Sequence, residues 1–497
     1  MRYALSIVGL AVCPALAFAQ QPARPVPATL SLQDAIAIAR EHSPAYLQAL
    51  NNRSPAAWGV RSAVSGLFLP TLTASGGASY SGVGSQRFLT SNFSQSFATV
   101  ASNYALSLDY QLSGATLSQP GLAKADANAT EADIAGALTT LTTGVTQQYL
   151  TVRQAKDNAA VAEKQLQRND EFLKLAQARY DVGQATLIDV RQAQVARGQA
   201  EVNLLRAQTS VQVEKLSLFE LMGVTPPTDI DSVQLTDSFT VQAPPWKMND
   251  LLTMAEQQNP ALAALRARER AANWNVRATT AGYGPSLSLS ATWSGFAQQF
   301  KNSNDLESYI LGQKAAYGQA YSDCLDNNTI RTNAGLSPLD CSGLVWGSQL
   351  EQPIRTANSV FPFKFTTQPF QARLTITLPI FTDFSHTLQV SQARAQHDNL
   401  EESVRARALQ VQREVSAAYL NLQTAYTTIA IQDTNRSAAS EQLQLATERY
   451  RVGSGTFFEL LDAQVADLQA EYNYVSAVYD YHKSVAVLEA AVGRPLR

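Results

Sequence analysis

Residues 178–194 read ARYDVGQATLIDVRQAQ, and residues 448–464 read ERYRVGSGTFFELLDAQ. The strings align without a gap at a separation of 270 residues, matching Arg179 with Arg449, Tyr180 with Tyr450, Val182 with Val452 and Gly183 with Gly453. Each reads as a helix end, a tight loop and a helix start. Gly183 and Gly453 suit the left-handed conformation that terminates a helix. Arg179 and Arg449 fall in the last turn, where a cation meets the negative end of the helix dipole. Thr186 with Asp189, and Thr456 with Glu459, have the spacing of a capping box. The string therefore predicts the tip of a helical hairpin, present twice.

The duplication extends beyond the tips. The same separation maps Tyr149-Leu150 onto Tyr419-Leu420 and Gly223 onto Gly493. Upstream the separation is 216, which pairs Asp34 with Asp250, Ser43-Pro44 with Asn259-Pro260, Trp58 with Trp274 and Gly66 with Gly282. The two separations differ by 54 residues, so the second copy carries an insertion at about 300–360.

Each copy has one layout. A short amphipathic helix opens it (Leu32, Ile36, Ala39; then Met248, Leu252, Ala255), and a Pro-marked break leads to a second helix around the shared Trp. Strand-like segments follow. Leu72 to Tyr80 precedes Tyr104 to Leu112, and Leu287 to Trp293 precedes Leu374 to Ile380, with apolar residues at every second position. Helices of about 60 residues come next, over 120–180 and 388–450, each ~90 Å long at 1.5 Å per residue. Return helices run over 187–221 and 457–491. Four strands are too few for the ~8 that close a barrel. Open strand edges cannot sit in lipid. A membrane-spanning role for these strands therefore requires several copies of the chain.

The chain opens with an expected export signal over 1–19. Arg2 supplies charge, Ala4 to Ala17 are mostly apolar, and Ala17-Phe18-Ala19 suits cleavage before Gln20. Leu10-Ala11-Val12-Cys13 loosely matches a lipoprotein box, but Val12 is bulky and the apolar run continues past Cys13. Cys324 and Cys341 are placed to form a disulfide in an oxidising compartment, closing a loop of about 16 residues; two free thiols are the other reading. The net charge of −3 argues against a nucleic-acid partner. No phosphate loop, metal-spaced His/Cys set or nucleophile motif occurs, so no enzyme activity, metal or cofactor is expected.

These residues resemble a known family. The double RYxVG…T…[DE]…AQ signature, the paired Ser43-Pro44 and Asn259-Pro260, and the endings Leu221-Met222-Gly223 and Ala490, Val492-Gly493 are similar to the TolC-type outer-membrane efflux proteins. The resemblance covers the chain after residue 19 except the insertion. It implies a mainly α fold with a β-barrel part. Three copies would form a 12-stranded outer-membrane barrel in outer-membrane lipid, continued by a 12-helix periplasmic α-barrel. The layout then reads as follows. Residues 20–66 are the equatorial and upper tunnel helices of copy 1, 67–118 membrane hairpin 1, and 119–223 helical hairpin 1 with its tip at 179–189. A linker covers 224–247. Residues 248–283 are the equatorial and upper helices of copy 2, 284–384 membrane hairpin 2 with the insertion outside the cell, and 385–493 helical hairpin 2 with its tip at 449–462.

The implied function is a passive exit duct of a tripartite efflux or type I secretion system. The implied partners are a periplasmic adaptor (a membrane fusion protein) and an inner-membrane pump of the RND, ABC or MFS type. The adaptor contacts carried over are Arg179, Tyr180, Val182, Gly183, Arg449, Tyr450, Val452 and Gly453. The implied periplasmic gate is an acidic ring of Glu459 and Asp462. Glu459 doubles as a capping acid, as its counterpart Asp189 does. The counterpart of Asp462 in the other copy is Gln192, and capping requires no acid there. Gly455 stands where some relatives place a locking cation, which leaves a Tyr450–Asp189 contact as the expected closure. The insertion reads as a stapled, tolerated loop, or else a lid or contact surface. The alternative from another class is a soluble periplasmic coiled-coil scaffold or adaptor.

Overall fold

The computed structural model describes residues 27–88, 91–95 and 97–496. The export signal and Cys13 lie outside the described residues. The first copy runs β1 (Thr29–Leu30), α1 (Leu32–His42), α2 (Pro44–Asn51), α3 (Arg53–Phe68), β2 (Thr71–Ser81), β3 (Gly84–Phe88), β4 (Ser91–Gln95), β5 (Thr99–Leu112), α4 (Gly114–Asp181) and α5 (Leu187–Met222). After β6 (Gln234–Leu235), the second copy runs α6 (Met248–Gln258), α7 (Pro260–Thr280), β7 (Ser286–Phe300), α8 (Ser303–Asn333), α9 (Ser348–Ala357), β8 (Thr366–Thr367), β9 (Gln371–Thr377), α10 (Ser385–Arg451) and α11 (Phe457–Val492). The long helices α4 and α10 have 68 and 67 residues, somewhat longer than the sequence expectation.

The chain divides into two compact units. The first holds residues up to Ala57, Ala125–Arg270 and Asp398 onward. Here the duplication is visible in the packing. Tyr149 donates to the Leu30 carbonyl at 2.9 Å, and its counterpart Tyr419 donates to the Trp246 carbonyl at 3.1 Å. Each hydroxyl anchors the segment entering a belt helix, α1 or α6. Each belt helix buries a narrow stripe: Ala35 and Ala39 in one, Leu251 and Ala255 in the other. Gly223 and Gly493 end α5 and α11 with φ of +72° and +91°. A Cβ on Gly223 would lie 2.4 Å from the His42 carbonyl oxygen, and one on Gly493 would lie 2.8 Å from that of Gln258. Only glycine allows the return helix to end against the belt so closely.

Polar pairs join the two hairpins along α4 and α11. Gln464 donates to Asn169 at 3.0 Å, Arg168 pairs with Asp467, Tyr479 donates to Asp157, and Lys483 donates to Gln154 at 2.8 Å. These polar contacts tie α4 to α11 along the seam, above the apolar cluster of Phe172, Leu443, Tyr450, Phe457 and Leu460 at the tips.

The second unit holds residues 58–124 and 271–397. Its main sheet is antiparallel in the order β2-β5-β7-β9, with β8 pairing the far end of β7. Thr99 faces Phe300 and Leu112 faces Leu287 across the central pair. The four expected strands are therefore present, and β2 and β9 form its edges. Leu72, Trp293, Phe296, Leu374 and Ile376 are exposed. β9 stops at Thr377, short of the expected Ile380, because Pro379 has no N–H for the ladder.

The insertion lies between β7 and β9, carries the expected staple and is largely helical. It folds as α8, 31 residues long, with α9 beside it. Arg355 pairs with both Glu307 and Glu351, Phe300 N–H donates to Asn358 Oδ1 at 2.6 Å, and the Cys324–Cys341 disulfide is formed. Its Asn and Asp residues suggest turns, but 303–333 lacks proline and Asn328 satisfies Leu339 instead, exchanging two hydrogen bonds with its backbone.

Candidate functional site

Both tips have the predicted construction. Gly183 (φ +74°) and Gly453 (φ +81°) close α4 and α10. The N–H of Gln184 returns to the Arg179 carbonyl at 2.8 Å, and that of Ser454 to the Arg449 carbonyl at 2.9 Å. These bonds satisfy carbonyls that the helix end leaves open. Thr186 and Thr456 cap the following helices, accepting from Asp189 N and Glu459 N at 3.3 and 3.2 Å.

The two acids then diverge. Asp189 completes its box by accepting from Thr186 N at 2.8 Å. Glu459 does not return to Thr456. Its carboxylate lies 3.5 Å from Arg449, across the tip loop. Gly455 makes room for this: a Cβ there would be 3.1 Å from Arg449 Cβ and 3.2 Å from the Glu459 carboxylate. Capping is thus no explanation for the Glu459 side chain, contrary to the sequence expectation.

The two arginines diverge as well. Each reaches a carbonyl five residues on: Arg179 to Gln184 at 3.1 Å, and Arg449 to Ser454 at 3.4 Å. Arg179 also crosses to the second hairpin, donating to the Tyr450 carbonyl and lying 4.5 Å from the centre of its ring. Tyr450 is 2% exposed, packed against Phe457 and inside a cluster with Phe172, Ala176, Val190, Leu443 and Leu460. Burial, then the nearby Asp189 carboxylate, push its phenol above the ordinary value, while Arg179 pulls it down. The hydroxyl has no hydrogen-bond partner among the described residues, so the nearness of Tyr450 and Asp189 is electrostatic and not a hydrogen bond. Asp189 is committed to its own helix.

Of the expected tip contacts, Tyr180, Val182, Val452 and both glycines are on the surface, as is Arg449. Arg179 is half-buried, and Tyr450 is unavailable. Sequence reasoning missed Ile188 and Phe458, equivalent residues that are both exposed beside the tip glycines. Their signal was an apolar side chain at the second position of each helix, on the side away from the core.

Glu459 and Asp462 line a groove of about 560 Å³ between α10 and α11, with Glu441, Gln442, Leu445, Ala446, Arg449 and Ala463. Asp462 is exposed and makes no ion pair among the described residues. Glu441 was missed. It lies eight residues before Arg449, about two helical turns, and so on the same face. The groove therefore carries three carboxylates and one guanidinium.

The family model described as outer membrane efflux protein matches residues 35–224 and 348–494, including both tips. The chain belongs to the outer membrane efflux protein family. The break in that match contains most of the insertion. Among relatives of this family, the chain is 24% identical over 338 residues to the outer membrane efflux protein BepC of Brucella suis biovar 1, covering 67% of this chain and 60% of BepC. It is 22% identical over 351 residues to the outer membrane protein TolC of Vibrio cholerae serotype O1, covering 70% of this chain and 66% of that one. The alignments thus span about three fifths to two thirds of these relatives. The fold is similar to that of the outer membrane protein VceC of Vibrio cholerae, with a TM-score of 0.67 and 19% identity over 94% of this chain and 97% of VceC. Membership of this efflux family places the chain in the outer membrane.

Proposed function

We propose that the chain is the outer-membrane exit duct of a tripartite export system, acting as a homotrimer. The observation that carries this reading is the sheet of four long strands with two edges and exposed apolar side chains, in a chain that also carries two 67- to 68-residue helices ending in tips. One such sheet cannot close, and its edges cannot face lipid. Three copies supply twelve strands, enough for a barrel. Exposed Leu72, Leu374 and Ile376 fit a lipid-facing sheet and count against the soluble scaffold. The tips, through Val182, Val452, Tyr180, Ile188 and Phe458, are the docking surface for a periplasmic adaptor, itself coupled to an inner-membrane pump.

Asp462 and Glu459 form the periplasmic selectivity ring, with Glu441 adjoining. Repeated threefold, these carboxylates favour cations and offer a polyvalent cation a place to block. Single-channel recording in planar bilayers tests this. Asp462→Ala is expected to raise conductance and weaken block by a trivalent cation. Unchanged conductance and block in Asp462→Ala/Glu459→Ala would remove the gate from these residues.

A further inference from the structure

The two faces of the main sheet differ in chemistry, and the register shows it. Leu72 lies beside Leu108 and Leu108 beside Ala291, while Leu289 pairs with Leu374 and Leu287 with Ile376. The opposite face sets Asp109 beside Ser290 and Ser290 beside Arg373, with Gln111, Ser288 and Thr375 in the next row. Only the first face suits lipid, so the polar face lines the watery interior of the barrel.

The far end of this sheet, where Thr99 faces Phe300, is opposite the end from which α4 leaves. The helices of the insertion sit there, on the polar face. Phe296, Gln298 and Phe300 continue the row of Ser288, Ser290 and Thr292 along β7. They line a pocket of about 440 Å³ together with Tyr309 of α8 and Ile354 and Ala357 of α9. The Tyr309 ring lies 5.3 Å from that of Phe300, and Asp305 accepts from Ala98 N–H at 3.2 Å. Arg355 ties α9 to α8 through Glu307. The chain then crosses to the apolar face. Phe361 N–H donates to Gln299 Oε1 at 3.0 Å, Ser102 donates to the Pro362 carbonyl at 2.6 Å, and Phe365 packs on Tyr104. The end of the sheet is thus straddled, with both helices on the side that faces the pore.

We propose that the insertion is an exit constriction that restricts the duct to small solutes. The proposal rests on the oligomeric duct reading above and names its cargo class. Eight strands enclose little more than side chains, and sixteen leave an open aqueous channel; a twelve-stranded mouth lies between the two. Each copy sets two helices, each about 10 Å across, on the inner side of its rim. Three copies fill most of the mouth. The gaps that remain pass small solutes and exclude a folded or helical polypeptide. The narrowing is built in rather than hinged, because hydrogen bonds hold both ends of the insertion to the sheet and the Cys324–Cys341 bridge fixes its middle. It stands apart from the acidic groove at the tips, and α8 falls in the break of the family match, so the family pattern does not supply it.

Single-channel recording on the full chain in planar bilayers tests this. Gln298→Cys and Ala357→Cys, both exposed on the pore side, are expected to lose conductance in up to three steps, one per copy, on adding a bulky membrane-impermeant thiol reagent. Phe363→Cys, exposed in the segment that crosses to the apolar face, is expected to take the same reagent with conductance unchanged. Neutral polymers of graded size, added from the outer side, measure the opening. A channel lacking 303–357 is expected to admit larger polymers than the native channel, and the thiol readings decide if that variant fails to insert. If the native chain conducts but Ala357→Cys stays unlabelled, or is labelled at full conductance, the constriction is overturned while the duct stands. An unchanged polymer cut-off in a conducting deletion overturns it too. A chain that forms no conducting oligomer overturns both readings.

Discussion

Arg168 of the first hairpin and Asp467 of the second meet in an ion pair whose carboxylate is fully buried. One Asp467 oxygen accepts from Arg168, and the other has no hydrogen-bond partner among the described residues. The counterpart of Asp467 is Arg197, which pairs instead with Asp170 and Glu201 around its own hairpin. The pair therefore belongs to the seam between copies, and the duplication did not supply it.

Removing one partner leaves the other charge stranded. Arg168→Ala is expected to destabilise the helical unit by about 3 kcal/mol, the low end for a buried pair because Arg168 keeps 35% of its side chain exposed. The double change Arg168→Met/Asp467→Leu replaces both charges with apolar side chains and is expected to recover most of that loss. Thermal loss of helical circular dichroism measures both. Equal destabilisation in the single and double variants would show that the charges do not act as a pair.

Tyr450 holds the tip through its ring and its carbonyl. Its hydroxyl is buried without a partner, so Tyr450→Phe is expected to be neutral or slightly stabilising, with unchanged channel closure. Tyr450→Ala removes the buried ring and its Arg179 contact, at about 3–5 kcal/mol. Melting curves and closed-state conductance distinguish the two. A leaky Tyr450→Phe channel would point to a hydroxyl-mediated lock.

Asp189 and Glu459 occupy equivalent positions but do different work. Asp189→Ala breaks a two-way capping box and is expected to cost about 1 kcal/mol. Glu459→Ala loses only an exposed ion pair and is expected to cost a few tenths, about the median for such pairs. Conductance should respond in the opposite order, strongly to Glu459→Ala and weakly to Asp189→Ala. Denaturant melts paired with bilayer recording test this crossing of effects.

Lys215 supplies a pH signature. The residue is 9% exposed, and its ammonium donates to the Ile230 carbonyl at 3.1 Å, with Asp231 4.0 Å away. Burial holds its pKa below the ordinary value, and Asp231 offsets only part of this. The native chain thus releases this proton before the unfolded chain does. In the window just below the unfolded value of about 10.4, the unfolded state binds more protons, so stability rises with pH there. The penalty is largest below the folded value. Lys215→Met is expected to remove this rise and to stabilise most at neutral pH. A rise of unchanged size in Lys215→Met would assign it to another group.

Local chemistry was legible in the sequence. Gly183, Gly453, Thr186 and Thr456 determine where helices end and begin, because capping acts within a few residues. Alternating apolar positions located all four long strands, and the repeat paired Tyr149 with Tyr419, which the structure uses as equivalent anchors. The Cys324–Cys341 staple was legible and the helices of the insertion were not, because Asn328 finds its partner Leu339 11 residues away.

A repeated sequence dictates repeated conformations, and there its authority ends. Whether Tyr180 or Tyr450 is buried, whether Asp189 or Glu459 caps, and which arginine crosses to the other hairpin are decided by tertiary packing. Two copies in one chain can press only one of their two repeat-related interfaces together. That single contact gives Tyr450 a cover and Arg179 a partner, and it leaves Tyr180, Arg449 and the acidic groove facing outward.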